Sequence, residues 1–174
     1  ADLIMKDLKV RKITFTALFA AIICVMTFIV RIPTANGYLN LGDCGVLTAA
    51  VLGGPFIGGI AGGLGSALAD ILSGYTAWAL PTFIIKGVMG LVVGKFAVSA
   101  GLNVKNLIVM IIAGVWMVVG YYVADIIVFG SEVSGFVAAI TAMIPNAIQN
   151  VVGIITSNLL LIALTKAGVS LNLR

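Results

Sequence analysis

Apolar runs long enough to cross a lipid bilayer follow one another along this chain, separated by short stretches rich in Gly, Pro and Asn. The first run, 13–30, contains no charged side chain. A membrane-spanning helix needs about 20 consecutive apolar residues, within a range of about 17–25. Charged residues make up only 9% of the chain, whereas a soluble domain carries about 25%. The sequence therefore predicts an integral membrane protein and excludes an ordinary soluble enzyme, a disordered tail and a nucleic-acid-binding module.

Turn-forming residues divide the chain into six predicted helices, which form an all-α membrane bundle in a single domain, 1–174. The loop 31–41 is rich in turn formers, and the GGP motif at 53–55 interrupts the glycine-rich stretch that follows. Pro145 is expected at the first position of the last helix, which leaves 131–144 as a surface loop or lid. The predicted helices span about 13–30, 43–53, 57–73, 81–99, 106–128 and 145–165.

Basic residues collect on one side of the predicted six-helix bundle. That side holds both termini and two of the connections, with Lys6, Lys9, Arg11, Lys12, Lys95, Lys105, Lys166 and Arg174. Because cytoplasmic loops carry the excess of Lys and Arg, we expect both termini to be cytoplasmic. A cleavable signal peptide is the alternative interpretation of the basic start, but no A-x-A-like site closes the first apolar run.

Two stripes of small residues predict close helix packing. The first stripe lies on the third predicted helix and consists of Gly58, Gly62, Ser66 and Asp70. The second stripe, on the first helix, includes an AxxxA pair made by Ala17 and Ala21. Small residues at this spacing let a neighbouring backbone approach closely. The AxxxA pair therefore predicts either packing within the bundle or a docking face for a partner helix.

Polar residues of several helices are expected at one depth, just beneath the external surface. Asp43, Asp70, Lys86 and Asp125 lie near the outer ends of four predicted helices. An ionisable side chain inside a span costs about 2.5–3.5 kcal/mol on insertion scales and marks a candidate functional site. Their shared depth predicts a shallow pocket that captures a small solute. The predicted substrate-binding residues are Tyr38, Asn40, Asp43, Asp70, Tyr75, Trp78, Lys86, Asn146, Gln149 and Asn150.

Each member of this set has a simpler structural alternative. Asp43 is equally well placed to cap the second helix. For Lys86, the alternative to a ligand contact is a structural ion pair with Asp70 or Asp125. The three amides of the last helix share one face and would also serve to join helices. The tyrosines at 121–122 are better explained as part of an interfacial aromatic belt.

Five segments of the chain carry a resemblance to a known family. They are LFAAI at 18–22, RIP…GYLNLGD at 31–43, LGGPFIGGIAGGLGSALADILSGY at 52–75, PTFIIKGVMG at 81–90 and IPNAIQN at 144–150. In this order they resemble the substrate-binding S component of energy-coupling factor (ECF) vitamin transporters. The resemblance covers nearly the whole chain and is closest to the riboflavin-type group, which includes hydroxymethylpyrimidine and pyridoxine carriers. The short chain favours one of these smaller rings, with riboflavin as the alternative.

The resemblance implies a non-catalytic transporter subunit in the bacterial plasma membrane. It implies six membrane helices and an external vitamin pocket beneath the first loop. The implied partners are a membrane scaffold (EcfT) and two cytoplasmic ATPases, which the alanine motif at Ala17 and Ala21 would contact. The family is thought to topple in the membrane during transport. No cofactor is expected, and the chain lacks the GxxxxGK[ST] motif with which it would bind ATP itself.

Two other classes of protein are alternatives to this interpretation. An intramembrane lipid-modifying enzyme usually needs paired acids holding Mg²⁺ or an activated nucleophile. This chain has no DxxD-type pair and no histidine, and its two cysteines, Cys24 and Cys44, show no metal-ligand spacing. The other class is a small channel or exporter: an ion channel would need polar groups through the whole membrane thickness, and an ion-coupled carrier would usually place them near the midplane. Neither class fits a single shallow polar pocket, and we expect no metal site.

Overall fold

The computed structural model of the protein describes residues 2–34, 37–98, 103–130 and 133–169. Within these ranges the chain forms five long helices and one two-stranded antiparallel hairpin in which Arg31 pairs with Asn40. The elements in chain order are α1 (Asp2–Ile29), β1 (Arg31–Pro33), β2 (Tyr38–Asn40), α2 (Gly42–Leu72), α3 (Thr76–Phe96), α4 (Val104–Phe129) and α5 (Val133–Lys166). The hairpin lies within the predicted loop 31–41.

All five helices are long and apolar enough to cross a membrane. Large apolar side chains such as Ile13, Ile127 and Leu159 point away from the bundle and are exposed. Outward apolar side chains of this kind are expected where the surrounding solvent is lipid. The helical form agrees with this, because a helix satisfies its own backbone N–H and C=O groups in a bilayer. The prediction of an all-helical, multi-pass membrane protein is confirmed at this level.

The long helix α2 reverses its direction at Gly54. Gly54 has φ 79° and ψ −171°, a backbone conformation that favours glycine. Ala50 Cα lies 2.7 Å from where a Cβ on Gly58 would stand, and Val46 Cγ1 lies 3.0 Å from the same point on Gly62. In a straight helix residues 46 and 62 would be about 24 Å apart, at about 1.5 Å per residue. The segments before and after Gly54, called arm A and arm B below, therefore pack antiparallel.

The predicted boundaries of the last helix were wrong. The structure places 133–144 in α5, which runs unbroken from Val133 to Lys166 with Pro145 inside it, so these residues form no loop or lid. Positions 131 and 132 of the predicted loop lie outside the described residues. Proline removes one backbone hydrogen bond, but neighbouring helices make such a loss tolerable in a membrane helix. The backbone N–H and C=O groups of the apolar residues before Pro145 find hydrogen-bond partners in a helix that they would lack in a loop within the bilayer.

Two other predicted helix starts were also too late in the chain. Helix α3 begins at Thr76 rather than near 81, and Pro81 lies inside its second turn. Helix α1 begins at Asp2 rather than near 13, so its basic residues lie on the helix itself. In both cases the helix extends beyond the apolar run, because the backbone gains hydrogen bonds from residues that composition alone assigns to the flanks.

Helices α2 and α3 approach each other closely along glycines. A Cβ on Gly58 would stand 2.6 Å from the Gly90 carbonyl oxygen, and one on Gly62 would stand 3.1 Å from the Lys86 carbonyl oxygen. The close approach predicted for Gly58 and Gly62 is therefore present. It sets the register of α3 against arm B and brings Lys86 alongside arm A.

Candidate substrate-binding site

A cavity opens at the end of the bundle that carries the β1–β2 hairpin. It encloses about 590 Å³ of empty space when its open mouth is included. Its walls come from the hairpin and from the ends of α2, α3, α4 and α5 that lie nearest to it. The lining residues are Thr34, Gly37, Tyr38, Leu39, Asn40, Asp70, Tyr75, Trp78, Thr82, Tyr121, Asp125, Ala142, Pro145, Asn146 and Gln149.

One wall of the cavity is an arc of aromatic rings with a carboxylate at each end. Tyr38 Oη donates a hydrogen bond to Asp70 Oδ1 at 2.7 Å, and Trp78 Nε1 donates to Asp125 Oδ1 at 3.2 Å. The Tyr75 ring lies between them, 5.1 Å from the Tyr38 ring centroid and 6.4 Å from that of Trp78. The arc provides flat apolar surfaces between two negative groups.

Tyr38 and Asp70 form the end of the arc beneath the hairpin. Burial and the neighbouring Asp70 carboxylate raise the pKa of the Tyr38 phenol above its ordinary value, so its hydroxyl remains a donor at physiological pH. Asp70 Oδ2, the second carboxylate oxygen, has no hydrogen-bond partner. The nearby Thr82 hydroxyl is engaged with Tyr121 Oη at 3.1 Å. Asp70 Oδ2 is thus a buried acceptor that is closed to solvent beside the Thr82 hydroxyl.

A buried ion pair lies behind the cavity wall. Lys86 Nζ pairs with Asp43 Oδ1, and the two side chains are 3% and 0% exposed. Lys86 Nζ also contacts Met117 Sδ at 2.8 Å, and Gln149 Nε2 donates to Asp43 Oδ2 at 3.2 Å. Both oxygens of Asp43 therefore have partners, which is the condition under which a buried charge is tolerated.

Gln149 connects this ion pair to the hairpin. Its Oε1 accepts hydrogen bonds from Asn40 N at 3.0 Å and from Asn40 Nδ2 at 3.1 Å. Asn40 Oδ1 in turn accepts from Gly42 N at 2.8 Å, which satisfies a free amide at the start of α2. Because Gln149 Nε2 is held by Asp43, its Oε1 faces the hairpin. The ion pair therefore positions the hairpin through one glutamine.

The structure brings seven of the ten predicted binding residues to the cavity wall. They are Tyr38, Asn40, Asp70, Tyr75, Trp78, Asn146 and Gln149. Asp43 and Lys86 lie behind the wall, as the buried pair described above. Asn150 packs against Gly114 of α4, and its Nδ2 has no hydrogen-bond partner.

The structure shows which structural contacts two of these residues make. Lys86 is paired with Asp43 and not with either acid considered from the sequence. Asp43 does not cap α2, because Leu41 is the N-cap residue and Asn40 bonds the Gly42 amide.

Several wall residues were absent from the predicted set. They are Thr34, Gly37, Leu39, Thr82, Tyr121, Asp125, Ala142 and Pro145. Tyr121 had been assigned to the membrane interface, but it lines the cavity and bonds Thr82. Thr82 could have been found by its spacing, because it lies four residues after Trp78 on the same helix face, and Asp125 was already one of the acids whose shared depth predicted the pocket.

The predicted docking residues, Ala17 and Ala21, do not line this cavity. Ala17 and Ala21 are exposed on the outer surface of α1, so the bundle does not cover them. Packing within the bundle therefore does not account for the AxxxA pair.

A multi-pass helical protein with one polar, aromatic cavity at a bundle end is a membrane protein suited to binding a small solute. A family model described as "ECF-type riboflavin transporter, S component" matches residues 7–166. The chain belongs to this family of non-catalytic, substrate-binding transporter subunits. S components bind a vitamin and associate with the subunits of an ECF module. Membership in this family excludes the enzyme alternative.

Curated relatives cover most of the chain. An uncharacterized protein in the gap 3′ region of Pyrococcus woesei is 40% identical over 135 residues, 76% of this chain and 87% of that protein. The thiamine precursor transporter HmpT of Lactococcus lactis subsp. cremoris is 25% identical over 169 residues, 95% of each chain. A UPF0397 protein of Streptococcus agalactiae is 29% identical over 172 residues, 91% of this chain and 92% of the relative.

Proposed function

We propose that this chain is the substrate-capture subunit of an ECF-type importer for a small, water-soluble vitamin or vitamin precursor. A hydroxymethylpyrimidine or a pyridoxine-like ring is the preferred substrate, and riboflavin is the alternative that the family description suggests. The observation that carries the proposal is the arc of three aromatic rings between Asp70 and Asp125, beneath the hairpin. The name of the relative HmpT, a thiamine precursor transporter, supports a small ring.

In this proposal the ligand lies against the arc and is covered by the hairpin. Tyr75 and Trp78 would stack on the ring, while Asp70, Asn146 and Tyr38 would meet its polar edge. Asn40 and Gln149 would close the cavity from the hairpin side. Three residues would act from behind the wall without touching the ligand: Asp43, Lys86 and Asn150. One vitamin bound per purified chain, detected by native mass spectrometry, is the experiment that tests the proposal.

The proposed topology has six crossings with both termini in the cytoplasm of a bacterial cell. The reversal of α2 at Gly54 supports it, because arm A and arm B run in opposite directions and α2 therefore returns toward the side from which it starts. Five helices of continuous direction would instead place the termini on opposite sides. The distribution of basic residues also favours this orientation, since it leaves the cavity on the external side.

The proposed partners are the membrane scaffold and two ATPase subunits of an ECF module, and they dock on α1. Ala17→Trp or Ala21→Trp should abolish transport while vitamin binding stays at the wild-type level. A bulky ring would separate two helices that meet by close backbone approach. Ala163→Trp, at another exposed alanine on α5, is the matched control and should leave transport intact. Co-purification of either α1 variant with scaffold and ATPases at wild-type yield would contradict the docking face.

The hairpin is proposed as a lid over the cavity. Vitamin binding should slow amide hydrogen exchange across residues 37–41, because the ligand would add contacts to a segment that is held to the helices by the Tyr38–Asp70 and Asn40–Gln149 hydrogen bonds. Positions 35 and 36 of the same loop lie outside the described residues. Exchange in arm A, which is buried except at Leu52, should not change. Equal exchange of 37–41 with and without a saturating vitamin would overturn the lid.

A further inference from the structure

Gln149 of α5 bonds both sides of the corner at which β2 passes into α2. Before the corner, its Oε1 accepts hydrogen bonds from Asn40 N at 3.0 Å and from Asn40 Nδ2 at 3.1 Å. After the corner, its Nε2 donates to Asp43 Oδ2 at 3.2 Å. Both ends of one side-chain amide are therefore used, and a single residue of α5 fastens the hairpin to the start of α2.

The direction of this amide is fixed from both ends of a chain of hydrogen bonds. At one end, the Lys86 ammonium can only donate, and it occupies Asp43 Oδ1. Because the Asp43 carboxylate can only accept, Gln149 has to turn its NH₂ group toward it. At the other end, Gly42 N donates to Asn40 Oδ1 at 2.8 Å, which leaves the Asn40 NH₂ group to face Gln149 Oε1. Donors and acceptors match along the whole chain in this one arrangement.

Of the side chains of this size, an amide is the one that serves both partners of Gln149. A glutamate at this position would still accept from Asn40, but it would set a second carboxylate oxygen against buried Asp43, and like charges repel. A methionine would keep most of the volume and bond neither partner. An asparagine at position 43 would reverse the chain, because Lys86 would take its oxygen and leave its NH₂ group facing that of Gln149.

Side-chain hydrogen bonds from two of its three residues attach β2 to the helices. Tyr38 bonds Asp70 at the end of arm B, and Asn40 bonds Gln149. Tyr38 and Asn40 are alternate residues of the strand, so their side chains project from the same face. An isolated two-stranded hairpin is marginally stable at best in water, so this one depends on its attachments. Loss of the Gln149 attachment should therefore loosen the hairpin as a whole.

We propose that Gln149 is a positioning residue that holds the hairpin closed over the cavity, and that the charge of Lys86 sets the direction of its amide through Asp43. Opening of the hairpin then requires both hydrogen bonds between Asn40 and Gln149 Oε1 to break. The consequence for a bound vitamin, whose release these bonds would slow, rests on the proposed function. The positioning of the hairpin itself does not depend on a ligand.

The backbone amide of Thr34 reports on the opening of the hairpin without bonding Gln149. Its N–H donates to the Gly37 carbonyl oxygen at 2.9 Å, so it exchanges with solvent when the hairpin loses its structure. In the ligand-free protein in detergent, Gln149→Met should speed hydrogen exchange at this amide at least about tenfold, as measured by NMR.

Asn146→Leu is the matched control on the same helix. Asn146 also lines the cavity, but it makes no hydrogen bond to the hairpin within the described part of the chain. Its replacement should change hydrogen exchange at Thr34 less than about twofold.

An exchange of hydrogen-bonding roles between positions 43 and 149 tests the direction of the chain. Gln149→Glu alone should speed exchange at Thr34 as Gln149→Met does. Adding Asp43→Asn restores a donor opposite the new carboxylate, keeps an oxygen for Lys86 and returns the pair of positions to one negative charge. Exchange at Thr34 should then return most of the way to the wild-type rate, which a general packing defect at position 149 would not allow.

The outcomes separate this inference from the proposed function. Unchanged exchange at Thr34 in Gln149→Met would overturn the positioning role, whether or not the protein binds a vitamin. A double variant that opens as readily as Gln149→Glu would overturn the direction set by Lys86. Faster exchange in Gln149→Met, in a protein whose wild type binds no vitamin, would support the inference and contradict the proposed function. Asn40→Leu removes one of the same bonds from the hairpin side and gives the same decision if Gln149→Met does not fold.

Discussion

Replacing Lys86 with methionine should destabilise the protein more than any other single change to its polar residues. The substitution keeps most of the side-chain volume but leaves Asp43 fully buried without its cation. Breaking a buried ion pair on one side costs about 3–5 kcal/mol. Chemical or thermal unfolding of the purified protein in detergent would measure this loss. Lys95→Met, at an exposed lysine in the last turn of α3, is the matched control and should change stability little.

A second substitution distinguishes the ion pair from a general packing defect. Adding Asp43→Asn to Lys86→Met removes the orphaned charge and should restore much of the lost free energy of unfolding. The Gln149 contact remains available, because an asparagine oxygen can still accept from Gln149 Nε2. Full stability of Lys86→Met alone would contradict the structural role of the pair. A stable Lys86→Met that loses only vitamin affinity would instead favour a direct ligand contact.

Gly90→Ala should be the most damaging change in the apolar part of the bundle. A Cβ at this position would collide with the Gly58 carbonyl, which belongs to the backbone of arm B and cannot move aside as a side chain does. Overpacking of this kind costs about 1–3 kcal/mol, and the rigid neighbour predicts the upper part of that range. The measurement is the free energy of unfolding in detergent.

Gly87→Ala provides the control for the glycine-packed interface. It lies one turn before Gly90 on α3, but a Cβ there would be 3.4 Å from the nearest atom, the Gly59 carbonyl oxygen, which is an ordinary contact. Alanine at this position should be neutral or slightly stabilising, because it lowers the backbone entropy of the unfolded chain. Equal effects of the two substitutions would show that α3 does not lie against Gly58 in the register described.

Local patterns in the sequence were sufficient for much of this architecture. The break at Gly54 follows from the GGP motif, and the close approach at Gly58 and Gly62 follows from the spacing of small residues. The shared depth of the polar groups correctly pointed to one end of the bundle. Each of these features depends on a period or a turn signal within a single segment, which is why it is visible without a structure.

Features that depend on which helices are neighbours could not be predicted from local sequence patterns. Asp43 and Lys86 are 43 residues apart, and nothing in either local sequence indicates that arm A lies beside the middle of α3. The structure brings Asp43 to Lys86 because the chain reverses at Gly54 and arm B then packs on α3. Pro145 was assigned to a helix start because proline is common there, whereas the surrounding helices of a membrane bundle tolerate it inside α5.

Native mass spectrometry of the purified protein with and without a blocked cavity tests the central claim most directly. Wild-type protein incubated with hydroxymethylpyrimidine, pyridoxine and riboflavin should retain one vitamin per chain. Ala142→Trp fills the cavity with an indole and should retain none, whereas Ala147→Trp, at an exposed position outside the cavity wall on the same helix, should bind as the wild type does. A wild-type protein that retains none of the three, or an Ala142→Trp variant that binds at wild-type occupancy, would contradict the claim.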